Sequence, residues 1–232
     1  MSNMGALSIQ DAKEYMRTLD RIRIAAIFNT MRILKKANPG DAYYENYLGH
    51  LARNGEVFYD VYMLLWEIAV TFAPKRILEI GTRTGISLCQ LLSAYVDHSA
   101  IERIVCIDPF NDGFISPGLV QRNLKHLNLP WSLPDIITGF SQDILPVLIS
   151  RGETFDYILV DGDHSKEAAR QDLEHAHRLC EPGGVIVFDD ISDAPGECAL
   201  IDVWEAFAAA HAGEYEFNKN MTGKGVAWSC KL

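Results

Sequence analysis

The chain opens with long stretches of helical periodicity. From about Ser8 to Lys36 apolar residues recur every three or four positions, which is the spacing of one face of a helix. The following "NPGD" ends this pattern. The same periodicity predicts helices from about Ala42 to Arg53 and from Glu56 to Phe72. Residues 1–54 are therefore predicted to form an N-terminal helical extension, and residues 55–232 a second domain.

After Pro74 the pattern changes to short apolar runs that alternate with amphipathic segments. The runs predict strands at Arg76–Ile80, Arg103–Ile107, Asp135–Thr138, Tyr157–Val160 and Val185–Phe188. The segments between and after them predict helices near Thr84–Tyr95, Pro117–Leu127, Asp143–Ile149 and Lys166–Cys180, the last capped by Ser165 and ended by Pro182-Gly-Gly. This alternation predicts an α/β fold with a doubly wound parallel sheet.

The C-terminal part of the chain follows a different pattern. A helix is predicted near Ala199–Ala210, and two short apolar runs follow it at Tyr215–Phe217 and Val226–Cys230. The loop "NKNMTGKG" joins these runs. Strands so close in sequence favour an antiparallel hairpin at one edge of the sheet.

Composition narrows the classes of partner and compartment. Apolar residues make up 48% of the 232 residues, and the formal net charge is −10. An acidic chain of this kind argues against nucleic acid and anionic membranes as partners. The five cysteines are scattered and odd in number, which favours free thiols in a reducing compartment. The N-terminus has neither the basic flank nor the apolar run of a signal peptide, so a cytoplasmic protein is expected.

The segment "ILEIGTRTGIS" joins the first predicted strand to its helix. Gly81 and Gly85 permit a tight turn and a close approach of a ligand to the backbone. Their G-x-x-x-G spacing does not match the G-x-G-x-x-G dinucleotide fingerprint. Asp108 ends the second strand, where a carboxylate can accept hydrogen bonds from ribose hydroxyls. The alternative is that the glycines only pack strand against helix and that Asp108 only caps a loop; together the features favour a nucleoside-type ligand.

With these residues the chain resembles the class I S-adenosylmethionine-dependent methyltransferases, in particular the catechol and caffeoyl-CoA O-methyltransferase type. "LEIGTRTGIS" resembles the first motif of that group, and "GFSQDILP" resembles its adenine-binding segment. The resemblance extends from about Gly55 to the C-terminus. It implies a Rossmann-like seven-stranded sheet in the order 3-2-1-4-5-7-6, with strand 7 antiparallel. It also implies that S-adenosylmethionine contacts Glu79, Gly81, Thr82, Gly85, Asp108, Ser141, Gln142 and Asp161.

Carboxylates follow two strands that are neighbours in this implied order. Asp161 follows the strand that runs into "VDGDH", and Asp189 and Asp190 end the strand in "VFDDI". Adjacent strands lie about 4.8 Å apart, so the three carboxylates are expected to converge and to repel one another unless a cation joins them. Oxygen ligands of this kind suit Mg²⁺ or Ca²⁺. The alternative is that Asp189 and Asp190 only end a strand. Catechol-type relatives have Asn where this chain has Asp190, which brings the site nearer to macrolide-sugar O-methyltransferases and cephalosporin-hydroxylase-like proteins.

His164 lies three residues beyond Asp161 and is the candidate general base. An imidazole with an ordinary pKa near 6.5 can accept a hydroxyl proton at neutral pH. The resemblance supports this role, because catechol-type relatives have a lysine base there and the sugar-modifying relatives a histidine. The alternative is that His164 only helps to cap the next helix. Asp163 either binds the metal or orients His164.

These residues predict an enzyme, an S-adenosylmethionine-dependent O-methyltransferase with Asp161 and His164 as catalytic residues. Its expected acceptor is a small hydroxylated molecule, such as a catechol, a phenol or a sugar-bearing metabolite. Two alternatives are a non-catalytic protein that binds S-adenosylmethionine or S-adenosylhomocysteine, and a metal-dependent hydroxylase-like relative. The long N-terminal helix has more apolar surface than a lone helix can bury, so a homodimer is expected.

Overall fold

The computed structural model describes residues 9–39, 61–111, 113, 115–194 and 196–232, with side chains in the first helix described from residue 22. The chain divides into two compact units, residues 1–58 and 59–232. The first unit contains helix α1 (Ile9–Ala37), whose last turn carries Lys35 and Lys36. Positive charge there complements the helix dipole. The helix predicted at Ala42–Arg53 lies outside the described residues.

The second unit is a seven-stranded sheet with helices between the strands. The strands are β1 (Arg76–Ile80), β2 (Arg103–Asp108), β3 (Pro134–Thr138), β4 (Phe155–Val160), β5 (Cys180–Asp189), β6 (Tyr215–Asn220) and β7 (Val226–Lys231). The helices are α2 (Val61–Thr71), α3 (Ile86–Ser93), α4 (Pro117–His126), α5 (Ser141–Ser150), α6 (Lys166–Leu179) and α7 (Ile201–Ala210), with a 3₁₀ turn at His98–Ala100.

The strand order is β3-β2-β1-β4-β5-β7-β6, and β7 runs antiparallel to both β5 and β6. The prediction of this Rossmann-like fold is therefore confirmed. The central parallel strands are almost entirely buried, because helices cover both faces of such a sheet and leave little room for alternating polar positions. Their continuous apolar runs are the reason that the strands could be found from the sequence.

Several element boundaries differ from the prediction, among them those of α5 and α6. Helix α5 begins at Ser141, two residues before the expected Asp143. Helix α6 ends at Leu179 and not at Pro182-Gly-Gly, which lies within β5. The Lys231 ammonium donates hydrogen bonds to the carbonyl oxygens of His177 and Cys180, each at 2.9 Å. A side chain from β7 thus satisfies carbonyls at the end of the helix, so no glycine is needed there.

The register of the sheet brings the ends of three strands to the same level. Ile80 at the end of β1 pairs with Val160 of β4, which pairs with Phe188 of β5. The residues that follow these positions therefore emerge side by side at the carboxyl edge, where ligands bind in doubly wound sheets. Within the described parts of the chain, every helix is too short or too polar to span a bilayer.

Candidate active site at the carboxyl edge of the sheet

The turn between β1 and α3 brings the backbone of two strands into close contact. Gly81 has φ 87°, and a Cβ atom at this position would overlap the backbone carbonyl of Asp161. Gly85 has φ 75° and precedes the first residue of α3. Both glycines are thus required by backbone geometry. The same geometry leaves the N-terminus of α3 facing the ligand edge, as expected for a site that binds polar ligand groups.

Asp108 at the end of β2 fixes the loops on either side of it. Its carboxylate accepts hydrogen bonds at 2.7 Å from the backbone N–H groups of Arg83 and Phe110. This is the loop-capping role that the sequence left as an alternative. A carboxylate has about four acceptor positions, so these two bonds leave acceptor capacity for a ribose hydroxyl. The two roles are compatible in this arrangement.

Glu79 and Thr82 lie beneath the glycine turn and are both buried. Burial raises the pKa of Glu79 to about 8, the neighbouring Thr82 side chain opposes part of this rise, and the charge of Asp161 adds to it. A carboxyl group with this pKa is largely protonated at neutral pH. It can therefore donate a hydrogen bond as well as accept one.

Ser141 and Gln142 form the first turn of α5, beside the end of β2. The N–H of Gly139, just before this turn, donates to the carbonyl oxygen of Asp108 at 3.0 Å. Ser141 is buried and Gln142 is half-buried. The predicted adenine-binding pair thus lies next to the predicted ribose-binding acid, at the same edge of the sheet.

Three carboxylates meet at the ends of β4 and β5. Asp161, Asp189 and Asp190 each place a carboxylate oxygen within 4.8 Å of the other two. Asp190 adopts a left-handed backbone conformation with φ 60°, and its side chain is 1% exposed. Burial raises the pKa of Asp161 and of Asp189, and the charges of neighbouring carboxylates raise both further. Burial and mutual repulsion therefore make full ionisation of the cluster costly.

His164 turns one ring nitrogen toward this cluster. Its Nε2 lies 3.1 Å from Asp190 Oδ2 and 3.8 Å from Asp161 Oδ1. Its Nδ1 lies 3.1 Å from Cys198 Sγ, in the segment before α7. The contact with Asp161 raises the pKa of His164, burial lowers it in part, and the charge of Asp190 raises it again. These contacts fix the ring on the cluster, which a residue that only capped α6 would not require.

Asp163 has a structural contact that the sequence did not predict. Its Oδ1 accepts a hydrogen bond from the N–H of Ser165 at 2.6 Å. Ser165 in turn caps α6 by accepting from the N–H of Ala168. Asp163 therefore stabilises the start of the helix, and its carboxylate is not part of the acidic cluster.

Lys224 reaches the same cluster from the turn between β6 and β7. Its Nζ lies 2.8 Å from Asp190 Oδ1. Both oxygens of Asp190 are thus within ion-pair distance of a cationic group, although neither has the alignment of a hydrogen bond to a described residue. Burial opposes the charge of Lys224, but the contact with Asp190 raises its pKa overall. Sequence periodicity did not find Lys224, because its contact with Asp190 joins two segments that are far apart along the chain.

The acidic cluster has the ligand chemistry that a hard divalent cation requires. Three carboxylate oxygens lie close enough to converge on one ion, and two of the three side chains are buried. Mg²⁺ and Ca²⁺ both prefer oxygen ligands. The ammonium of Lys224 supplies only one positive charge to this group. The residues therefore fit a divalent cation, with Lys224 as the group that such an ion would have to displace.

A fourth carboxyl group lies under the "VDGDH" loop, on α6. Asp172 is fully buried, and a Cβ atom at Gly162 would lie 3.1 Å from its Oδ2. Burial raises the pKa of Asp172 to about 6, and the nearby Ser141 side chain lowers it in part. Neither oxygen has an aligned hydrogen bond to a described residue. Asp172 shares the helix face of Ala169 and Leu173, so its burial could have been inferred from helical periodicity.

Comparison with known proteins agrees with the class that the fold and the site define. Residues 78–191, just under half of the chain, match a family described as "Methyltransferase domain". The O-methyltransferase TomG from Streptomyces achromogenes, solved with S-adenosylmethionine, has 22% identity and a TM-score of 0.58. The match covers 86% of this chain and 89% of that one. The family match therefore agrees with the predicted methyltransferase class, and the solved neighbour shares the fold.

Two curated relatives match part of the chain. An uncharacterized protein of Acanthamoeba polyphaga mimivirus is 29% identical over 143 residues, which is 60% of this chain and 62% of the relative. A probable caffeoyl-CoA O-methyltransferase of Dictyostelium discoideum is 25% identical over 119 residues, 50% of this chain and 44% of the relative. The matched region thus spans between about two fifths and three fifths of the length of these relatives.

The buried Asp172 predicts a pH-dependent gain of stability in Asp172→Asn. The folded protein holds the Asp172 proton up to about pH 6, against an ordinary pKa of 3.8, so the ionised carboxylate costs stability above pH 6. Asn removes this cost, on the order of 2–3 kcal/mol for a shift of this size. In urea unfolding the variant should be more stable than the parent at pH 8, and the gain should shrink as the pH falls through 6. Asp193→Asn, at an exposed carboxylate, is the control and should show no pH-dependent gain in stability. An equal gain for Asp172→Asn at pH 8 and at pH 5 would contradict the raised pKa of Asp172.

Proposed function

We propose that the chain is an S-adenosylmethionine-dependent O-methyltransferase that acts on a hydroxyl group of a small molecule, with help from a divalent cation. The observation that carries the proposal is the position of the acidic cluster and His164. They lie directly beside the glycine turn of β1, because Gly81 contacts the backbone of Asp161. A donor site, a cation site and a candidate base thus share one edge of the sheet.

The methyl donor would be held by residues on three neighbouring strands. The turn at Gly81 and Gly85 allows close approach, and Asp108 retains acceptor capacity for ribose hydroxyls. Ser141 and Gln142 lie where an adenine would extend beyond that ribose. The solved neighbour TomG, which binds S-adenosylmethionine, has the same fold. This supports S-adenosylmethionine as the donor.

Asp161, Asp189 and Asp190 would hold the cation. When bound there, a divalent cation lowers the pKa of an acceptor hydroxyl and orients it. The chain's own contribution is to keep these carboxylates converged at the ends of β4 and β5, next to the donor. The raised pKa values of Asp161 and Asp189 support a need for further positive charge in this cluster.

His164 is the proposed general base. The acceptor hydroxyl gives its proton to the imidazole, and its oxygen forms a bond to the methyl carbon as the bond from that carbon to sulfur breaks. S-adenosylhomocysteine is the second product. Holding oxygen, carbon and sulfur in line can lower the activation free energy by about 7–11 kcal/mol. Cys198 positions the ring through Nδ1, and Nε2, which faces the acidic cluster, receives the proton.

The acceptor is proposed to be a small hydroxylated metabolite, either a catechol, another phenol or a sugar-bearing compound. Its selection is assigned to the loops that follow β5 and β6. Support comes from the neighbour TomG, which is involved in tomaymycin synthesis, and from the probable caffeoyl-CoA O-methyltransferase.

We also propose a homodimer formed through α1; a monomer by light scattering at micromolar concentration would contradict it.

Replacement of Asp161 by Ala should separate donor binding from turnover. We expect metal-dependent methyl transfer to fall on the order of 100-fold or more. Calorimetry with S-adenosylmethionine should give an affinity close to that of the parent, because the backbone carbonyl of Asp161, which the substitution keeps, is the part that adjoins the Gly81 turn. Turnover is measured with Mg²⁺ and with a chelator, over a panel of catechols, flavonoids and sugar-bearing metabolites.

Asp163→Asn, in the same loop, is the matched control and should retain activity. Loss of donor binding in folded Asp161→Ala would contradict this division of roles, and absence of donor binding by the parent would sink the methyltransferase proposal.

Replacement of His164 by Ala should lower turnover by about 10²–10⁴-fold if the imidazole is the base. The deficit should be largest on the acid side of the pH–rate profile. At low pH a fraction of the parent still has a neutral imidazole that can remove the acceptor proton, whereas the variant depends on hydroxide for this step. The parent's rate should therefore fall toward low pH as the imidazole becomes protonated. A parallel profile in the variant would remove His164 as the base.

A further inference from the structure

Lys224 lies at the acidic cluster although it belongs to the hairpin at the far end of the chain. Its ammonium is 2.8 Å from Asp190 Oδ1, and the Asp190 side chain is 1% exposed. By contrast, Lys219 in the same hairpin pairs with the exposed Glu205 at 2.7 Å. Only the first of these two lysines compensates a buried charge.

The backbone around Lys224 is held against the end of β5. Its carbonyl oxygen accepts a hydrogen bond at 2.7 Å from the N–H of Ser192, and the carbonyl of Gly225 accepts from Ile191 at 3.2 Å. Gly225 has φ 75°, and a Cβ atom there would lie 2.7 Å from the nitrogen of Ser192. Packing and hydrogen bonds therefore fix the start of the Lys224 side chain beside Asp190.

The remainder of the Lys224 side chain lies largely at the surface. It is 59% exposed, so the ammonium can swing into solvent while Asp190 stays buried. A lysine head group loses little when it leaves a partly exposed ion pair, because water solvates it again. A carboxylate that is left behind without a partner in a buried site costs much more. Exchange of Lys224 for another cation therefore costs less free energy than leaving the Asp190 carboxylate without a positively charged partner.

We propose that Lys224 is a built-in counter-ion of the acidic cluster, which holds Asp190 when no divalent cation is bound and competes with such a cation for that carboxylate. This inference rests on the cation site of the proposed function. It assigns Lys224 to setting the affinity of that site, and not to proton transfer. Binding of a divalent cation then exchanges one positive charge for two and releases the lysine side chain.

The direct test is a titration of the metal-free full chain with Mg²⁺ by calorimetry. Lys224→Met removes the competing charge and keeps the length of the side chain, so we expect Mg²⁺ to bind at least about tenfold more tightly than to the parent. Lys219→Met removes an equal charge from the same hairpin and should leave the affinity unchanged. Equal or weaker Mg²⁺ binding by Lys224→Met would overturn the proposal.

A second measurement follows thermal stability and does not depend on activity. With a chelator present, Lys224→Met should unfold at a lower temperature than the parent, because Asp190 loses its partner. Saturating Mg²⁺ should then raise the variant's unfolding temperature by more than the parent's. If the variant folds only with Mg²⁺, the rate at which a chelator unfolds it provides the same comparison. An equal Mg²⁺-dependent gain in both proteins would contradict competition.

A double variant identifies the carboxylate through which Lys224 acts. In an Asp190→Asn background, Lys224→Met should change the Mg²⁺ affinity by less than about threefold, because the competing contact is already gone. A full tenfold effect in that background would contradict competition at Asp190. Absence of Mg²⁺ binding by both the parent and Lys224→Met would overturn this inference, while donor binding would still test the methyltransferase function separately.

Discussion

The carboxyl edge of the parallel sheet concentrates negative charge that has to be compensated for the chain to fold. Register places the residues after β4 and β5 side by side, and those residues are Asp161, Asp189 and Asp190. Burial makes their ionised forms costly, as the raised pKa values of Asp161 and Asp189 indicate. His164 and Lys224 provide part of the compensation.

The glycine turn after β1 connects this charged cluster to the nucleoside side of the site. Because Gly81 has no side chain, the backbone of β1 can touch the carbonyl of Asp161. Asp108 holds the next two loops through backbone N–H groups. A donor held above β1 and β2 would therefore lie next to a cation held above β4 and β5. The order and register of the strands are sufficient to bring the two proposed sites close together.

Sequence periodicity was sufficient for the fold because the parallel strands are continuous apolar runs and their helices are amphipathic. It also located the acidic residues, since strand ends could be read from the change from apolar to charged residues. It could not find Lys224 or Cys198, because their contacts with Asp190 and His164 join segments that are far apart in sequence. It also did not predict that Asp163 accepts a hydrogen bond from the N–H of Ser165 at the start of α6.

The most direct measurement is a crystal structure of the protein grown with S-adenosylhomocysteine and Mn²⁺, with data collected at a wavelength where manganese scatters anomalously. The account predicts an anomalous peak bound by oxygens of Asp161, Asp189 and Asp190, the nucleoside product against the Gly81 turn, and Lys224 turned away from Asp190. An ordered product with no peak at the carboxylates, and with Lys224 still paired to Asp190, would contradict it.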